Sequence, residues 1–216
     1  MVQERIALSL AVPLVGILRG VDAVFFAELL EASFAAGLQA LEVTMNTRGA
    51  ESMVAAGRPR VRPGGMLGMG TVRSLAEAER AVAAGAMFLV TPNLDRQVIE
   101  YAAARSIPVV AGALTPTEVY TAWSAGAAMV KVFPCGALGG PRYIRELAGP
   151  FDQIPLLPVG GVTLDNVRDY FSSGAAAVGA GKELFGADAL QEKDVAGAVR
   201  NLKRFLAACP PGQDAV

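Results

Sequence analysis

Lys131 and Glu42 are the two side chains of this 216-residue sequence that are best suited to chemistry. Lys131 lies in the apolar run MVKVFP, residues 129–134, and Glu42 lies in ALEVTM, residues 40–45. A charged lysine is costly to bury, so a buried lysine has a lowered pKa and a free amine near neutral pH. A neutral amine attacks ketones to form a Schiff base, and a facing glutamate can move the protons of that reaction. A buried ion pair without a catalytic role explains the same residues and stays open here.

Three further features are candidates for binding a small anionic ligand. The glycine-rich turns Gly160-Gly161 and Gly179-Ala180-Gly181 follow late apolar runs, where backbone N–H groups can hold a phosphate, although small residues also simply permit tight turns. Arg19 is a candidate carboxylate clamp or a solvated surface arginine. Thr71 can donate a hydroxyl to a ligand or cap the helix that follows it.

The composition excludes several classes of function. The sequence contains no histidine, which removes a Ser-His-Asp triad, a Cys-His dyad and any histidine-ligated metal. Cys135 and Cys209 are too few for a zinc or iron–sulfur site and indicate a reducing compartment. Lys and Arg number 19 against 20 Asp and Glu, which leaves no basic excess for a nucleic acid. We expect no metal, no cofactor and no nucleic-acid partner.

The high apolar content, 53%, does not predict a membrane protein. The longest stretch without a charge, residues 81–94, contains glycine and proline and is shorter than the roughly 18 residues that a membrane-spanning helix needs. Residues 6–18 lack the small residues of a signal-peptide cleavage site. Strands buried on both faces explain the hydropathy better. We expect a cytoplasmic protein.

The elements that must position these residues repeat along the chain. Eight short apolar runs begin about 20–27 residues apart, the length of one strand–helix unit; they cover residues 14–20, 40–45, 66–72, 87–92, 108–114, 129–134, 156–161 and 176–181. Eight such units predict an α/β fold, a parallel eight-stranded (β/α)₈ TIM barrel formed by one domain, residues 1–216. An open doubly wound sheet is the alternative, but no G-x-G-x-x-G follows the first run.

An internal repeat supports the barrel. Ser74, Thr115 and Thr163 each stand eleven residues before a glycine, Gly85, Gly126 or Gly174. We predict that each Ser or Thr begins a helix, with a capping box to Glu77 and to Glu118 in the first two, and that each glycine ends it. Gly37 begins the same pattern at the second run.

The repeat also predicts which strand residues share a layer. Five positions after each turn glycine come Glu42, Val90, Lys131 and Gly179, all on even-numbered strands. Alternate strands of a (β/α)₈ barrel supply one interior layer, so Glu42 and Lys131 are expected to face each other inside the barrel. Gly179 is expected to leave space beside them.

Six segments in this order resemble one family: LEVTMNT at 41–47, MGTV at 69–72, VTPN at 90–93, GALTPTE at 112–118, VKVFP at 130–134 and PVGGVT at 158–163. The family is that of the class I aldolases of 2-keto-3-deoxy-6-phosphogluconate (KDPG) and 4-hydroxy-2-oxoglutarate (KHG), which includes 6-phosphogalactonate enzymes. The resemblance runs from about Pro13 to Phe185. It implies a (β/α)₈ barrel, commonly a homotrimer, that cleaves a 2-keto acid, usually phosphorylated, into pyruvate and an aldehyde without a metal.

The resemblance also implies roles for single residues. Lys131 matches the Schiff-base lysine and Glu42 the general acid/base. Thr71, Pro92 and Phe133 match residues around the pyruvate, and Gly160, Gly161 and Gly181 match the phosphate turns.

The chain departs from the family pattern at two places. Asn46 stands where many phosphogluconate enzymes carry arginine, and Arg48 lies two residues later. The segment therefore looks more like that of the phosphogalactonate aldolases. This resemblance implies that Arg19 binds the substrate carboxylate instead. Lys182 follows Gly181 where the family usually has a serine, so it either adds a charge to the phosphate site or indicates an unphosphorylated substrate. A phosphate-binding barrel isomerase or epimerase, in which Lys131 acts only through its charge, is the rival function.

Overall fold

Strands and helices alternate along the chain. The computed structural model describes residues 6, 8 and 10–211. The strands are β1 (Leu14–Leu18), β2 (Ala40–Thr44), β3 (Met66–Gly70), β4 (Leu89–Val90), β5 (Val109–Ala113), β6 (Met129–Val132), β7 (Leu156–Pro158) and β8 (Val178–Ala180). The helices are α1 (Ala23–Ala35), α2 (Ala50–Gly57), α3 (Leu75–Ala83), α4 (Arg96–Ala103), α5 (Pro116–Ser124), α6 (Pro141–Ala148), α7 (Val167–Ser172), α8 (Lys182–Phe185), α9 (Ala187–Glu192) and α10 (Val195–Ala208). Short 3₁₀ helices cover Arg58–Arg60 and Gly136–Leu138.

The eight strands are parallel and form one nearly closed barrel. Their order is β7-β6-β5-β4-β3-β2-β1-β8, so sequence neighbours lie side by side and β8 returns to pair with β1. Isolated bridges from Leu156 to Ala175 and from Val159 to Gly179 link the β7 and β8 segments. The predicted (β/α)₈ barrel is confirmed, while residues 1–5, 7, 9 and 212–216 of the predicted domain lie outside the described residues. No helix in the described part of the chain is long and apolar enough to cross a membrane.

The turn glycines adopt the left-handed conformation that the repeat predicts. The backbone φ is +107° at Gly37, +93° at Gly85, +99° at Gly126 and +97° at Gly174. Glycine has no Cβ and takes this conformation at little cost, so the chain can turn sharply from the end of each helix toward the next strand.

The predicted N-caps are correct at two of the three helices. The Thr115 hydroxyl accepts a hydrogen bond from the Glu118 backbone N–H, and the Glu118 carboxylate accepts one from the Thr115 N–H, which completes a capping box. Ser74 caps α3 through the Glu77 N–H.

Two details of the predicted caps are wrong. The Glu77 carboxylate accepts from the backbone N–H of Arg73, one residue before the cap, and also binds the Arg73 side chain, so it does not complete a capping box. Thr163 does not begin α7, because the Asn166 side chain accepts from the Thr163 N–H and donates to Gly161, and this turn delays the helix to Val167.

Apolar side chains fill both sides of the strand wall. One cluster packs the strands against the helices. A second consists of residues outside the helices and fills the barrel; it contains Leu8, Leu10, Val15, Ala40, Phe88, Val90, Val110, Ala128, Leu157, Val159 and Ala177. The predicted space beside Gly179 is absent, because a Cβ there would lie 2.8 Å from a Val159 methyl group. The barrel interior is therefore a packed core.

Candidate active site

Glu42 and Lys131 both lie inside the barrel. Ala40 on β2 and Met129 on β6 pack with the interior cluster, and side chains two residues apart on a strand share a face, so Glu42 and Lys131 also point inward. The two residues are 1% and 4% exposed. The inward direction that the repeat predicts for both side chains is confirmed.

Burial shifts both side chains toward their uncharged forms. It raises the pKa of Glu42 to about 7, against the opposing pull of the Lys131 and Arg19 charges. It lowers the pKa of Lys131, helped by the Arg19 charge and opposed by that of Glu42. A carboxyl and an amine thus share the barrel interior, and burial favours the uncharged form of each.

The Glu42 carboxyl has capacity for a further partner. Its Oε2 is buried and accepts no hydrogen bond from the described residues. Gly70, at the end of β3, makes room for this group, because a Cβ at that position would collide with the carboxylate. A buried oxygen without a hydrogen-bond partner is costly for stability, and such a cost is typical of a site that binds a ligand.

Arg19 brings a positive charge to the mouth above this pair. It directly follows β1, and its Nη2 donates a hydrogen bond to Thr71 Oγ1 at 3.2 Å. Thr71 follows β3, is 9% exposed and has a φ of +56°, a conformation that threonine adopts only with strain. No carboxylate of the described residues lies within 4.0 Å of the Arg19 guanidinium.

Pro92 and Phe133 line a cavity of about 360 Å³ between the ends of β4, β5 and β6. The Phe133 ring is 37% exposed, and its centroid lies 5.1 Å from Lys131 Nζ. The buried Thr91 hydroxyl accepts a hydrogen bond from the Gly112 N–H at 2.8 Å and donates one to the Asn93 carbonyl at 2.6 Å. Thr91 therefore holds the β4 loop, with Pro92, against β5.

The predicted phosphate turns present backbone and few side chains. Gly160 and Gly161 have φ values of +86° and +84°, and the Gly160 carbonyl accepts a hydrogen bond from the Gly136 N–H at 2.8 Å. Gly181 lies close to β1, where a Cβ would stand 3.0 Å from the Ile17 carbonyl. The Lys182 side chain is 73% exposed, and its ion pair with the neighbouring Glu183 spans 3.9 Å.

The structure thus gathers most of the predicted site residues at one end of the barrel. Asn46 is exposed in the β2–α2 loop of the same end. Across the described residues, no three His, Cys, Asp or Glu side chains are grouped so that they could hold a metal ion. The sequence analysis did not single out the buried hydroxyls of Thr47 and Thr91. Thr47 ends the segment LEVTMNT and Thr91 lies in VTPN, two of the segments that carry the family resemblance.

The family model for KDPG and KHG aldolases matches residues 2–201. A 2-dehydro-3-deoxy-6-phosphogalactonate aldolase of Escherichia coli is 32% identical over 197 residues, which cover 91% of this chain and 96% of the relative. A 2-dehydro-3-deoxy-phosphogluconate aldolase of Treponema pallidum is 34% identical over 159 residues, 74% of each chain.

One solved structure is informative about the site. A KDPG aldolase from Legionella pneumophila, with pyruvate captured at low pH as a covalent carbinolamine intermediate, superimposes with a TM-score of 0.83 at 26% identity. The match covers 93% of this chain and 95% of that one. With the family model matched over almost its whole length, this chain belongs to the KDPG and KHG aldolase family.

Proposed function

We propose that this protein is a class I aldolase that cleaves a 2-keto-3-deoxy-6-phospho sugar acid, of the gluconate or galactonate type, into pyruvate and glyceraldehyde 3-phosphate. The observation that carries the proposal is the buried pair of Lys131 and Glu42 inside the barrel. The pyruvate carbinolamine of the Legionella relative supports covalent chemistry at an amine, which we assign to Lys131 in this chain.

Lys131 is the proposed nucleophile. Its free amine attacks the C2 ketone, the protonated Glu42 carboxyl donates its proton to the departing hydroxyl of the carbinolamine, and loss of water leaves a protonated imine and the Glu42 carboxylate. Burial lowers the pKa of Lys131, which increases the fraction of amine available at neutral pH. The iminium then serves as the electron sink, so the mechanism requires no metal ion.

Glu42 is the proposed general acid/base. It removes the proton of the C4 hydroxyl through a water molecule, the C3–C4 bond breaks, and its electron pair moves into the enamine as the aldehyde leaves. Protonation of the enamine at C3 and attack of water on the imine release pyruvate and restore the lysine. A pKa of about 7 suits a carboxyl that accepts and returns protons.

The remaining residues are assigned to recognition of the substrate. Arg19, with Thr71, holds the carboxylate, and Pro92 and Phe133 line the pyruvate pocket. Asn46 contacts the hydroxylated part of the substrate.

The phosphate is assigned to the glycine turns. The backbone N–H groups of Gly160, Gly161 and Gly181 bind it, and Lys182 adds a positive charge. An unphosphorylated 2-keto acid is the second candidate substrate, because Lys182 stands where the family usually has serine. Comparing kcat/KM for the phosphorylated and dephosphorylated forms of one substrate separates the two.

We also infer a homotrimer and, because Cys135 and Cys209 are both free, a reducing cytoplasmic location. The resemblance to the family supports the trimer. Sedimentation equilibrium of the purified protein tests it, and a monomer at micromolar concentration would contradict it.

Trapping with pyruvate and borohydride tests the chemistry directly. We expect one reduced pyruvate adduct by intact mass, mapped to Lys131. Lys131→Arg keeps the charge but forms no imine, so we expect loss of the adduct and a fall in kcat of about 10³-fold or more. Retained turnover in Lys131→Arg, with the fold verified by circular dichroism, would instead favour an isomerase with an electrostatic lysine.

A further inference from the structure

A hydrogen bond joins two loops at the mouth of the barrel. The Gly20 backbone N–H, in the β1–α1 loop, donates to Thr47 Oγ1, in the β2–α2 loop, at 2.9 Å. The β1–α1 loop carries Arg19, and the β2–α2 loop follows the strand that carries Glu42. The bond therefore links the loop that carries Arg19 to the loop that follows the Glu42 strand.

Thr47 is itself held in place. Its side chain lies 3.0 Å from the hydroxyl of Thr44, which is fully buried, and its backbone N–H donates to the Thr44 carbonyl at 2.8 Å. Thr47 is only 4% exposed. A buried hydroxyl with two fixed neighbours is a rigid acceptor for the Gly20 N–H.

The Gly20 N–H belongs to the peptide bond that directly follows Arg19. Gly20 has a φ of +69°, so the chain turns sharply directly after Arg19. From that turn the Arg19 side chain reaches Thr71, two strands away, with a hydrogen bond of 3.2 Å. Both Arg19 and Gly20 are exposed, so packing around them restrains the loop less than it restrains the strands.

We propose that Thr47 is a positioning residue for Arg19. Its hydroxyl holds the Gly20 peptide so that the guanidinium stays above the Lys131–Glu42 pair, ready for the substrate carboxylate. The proposal rests on the carboxylate-binding role that the proposed function gives to Arg19. Thr47 acts only through the loop and does not itself bind the substrate.

Thr47→Val tests this, because valine keeps the shape and removes the acceptor. We expect the pyruvate concentration for half-maximal borohydride trapping, and the KM for the cleaved substrate, to rise about five- to tenfold, the effect of one lost hydrogen bond. We expect kcat and the trapping rate at saturating pyruvate to stay within about twofold, because a uniform binding contact is weakened. Thr47→Ser should restore wild-type values.

A matched control separates positioning from a general effect of losing a threonine. Thr121 Oγ1 donates to the Thr117 carbonyl on the exposed face of α5, so Thr121→Val removes a hydroxyl bond far from the mouth. Both variants are compared with wild type by thermal unfolding. Should Thr47→Val fail to fold, Thr47→Ala carries the same test without the added methyl group.

A double-mutant cycle with Arg19→Met decides whether Thr47 acts through Arg19. We expect Thr47→Val to change the half-saturating pyruvate concentration by less than about 1.5-fold when Arg19 is already replaced, because contacts that act as a unit are not additive. Additive effects, or a fall in kcat with unchanged half-saturation, would overturn the proposal. Unchanged half-saturation in Arg19→Met alone would instead remove the proposed role of Arg19, and absence of any wild-type adduct would remove the proposed function.

Discussion

The two sides of the barrel mouth differ in the groups that they present: side chains on one side and backbone on the other. On the β1–β3 side, side chains form the site: Glu42 is buried, Arg19 binds Thr71, and Thr47 binds Gly20. On the β7–β8 side, the turns offer glycine backbone and one exposed lysine. Under the proposed function, the first side holds the keto acid through fixed side chains, and the second side holds the rest of the substrate through backbone N–H groups.

Among substitutions on the β1–β3 side, Glu42→Gln should reduce activity the most. We expect kcat to fall about 10²- to 10⁴-fold, the usual contribution of a general base. Wild-type kcat/KM should rise with pH through about 7, because burial keeps the Glu42 carboxyl protonated below that pH and a protonated carboxyl cannot act as the base.

The pH–rate profile of Glu42→Gln provides the check. It should lack the ascending limb near pH 7 while pyruvate can still be trapped at Lys131. A limb that persists unchanged in Glu42→Gln would assign the titration to another group.

Replacing Arg19 by Met should weaken binding of the keto acid next. We expect the half-saturating pyruvate concentration in borohydride trapping to rise about tenfold to a hundredfold, since a charge-assisted hydrogen bond is lost. Because the Arg19 charge lowers the pKa of both Lys131 and Glu42, its removal should also move the ascending limb of the pH profile to higher pH.

Arg48→Met is the matched control, since Arg48 is an exposed arginine in the neighbouring loop. If Arg48→Met raises the half-saturating concentration and Arg19→Met does not, the carboxylate is held from the β2–α2 loop.

Replacing Gly161 by Ala tests the proposed phosphate turn on the β7–β8 side. Its φ of +84° is strained for alanine, and the new Cβ would lie 3.0 Å from Gly136. We expect inhibition by inorganic phosphate to weaken about threefold to tenfold because a strained turn shifts its N–H groups, at a cost of about 1 kcal/mol. Pyruvate trapping should be unchanged.

Gly126→Ala is the control for backbone strain. Gly126 has a φ of +99° in the turn between α5 and β6, with open space around the added Cβ. Equal losses of phosphate inhibition in both variants would point to general destabilisation and away from a phosphate site at Gly161.

Lys182→Met should have the smallest effect. The side chain is 73% exposed, so its charge is screened, and we expect phosphate inhibition to weaken only about twofold to threefold, less at high salt. Lys203→Met, an exposed lysine on α10, serves as the control. If Lys182→Met weakened phosphate inhibition more than Gly161→Ala does, the charged side chain and not the backbone turn would be the main phosphate contact.

Much of the fold was predictable because it depends on short-range patterns. The turn glycines adopt the expected left-handed conformation, and Thr115 forms the expected capping box. The start of α7 was missed, since Asn166 reaches across its own turn to Gly161, a contact that the eleven-residue repeat does not contain. The space expected at Gly179 is absent because Val159, directly after β7, fills it.

The sequence by itself determined that Glu42 and Lys131 share the barrel interior. Side-chain direction alternates along a strand and the helix-to-strand turns repeat, so counting from Gly37 and Gly126 is enough. Only the tertiary structure decided that Gly20 meets Thr47, that Arg19 meets Thr71, and that a cavity opens beside Phe133. These contacts join residues 27 and 52 positions apart, and they depend on how the loops extend beyond the strands once the barrel has closed.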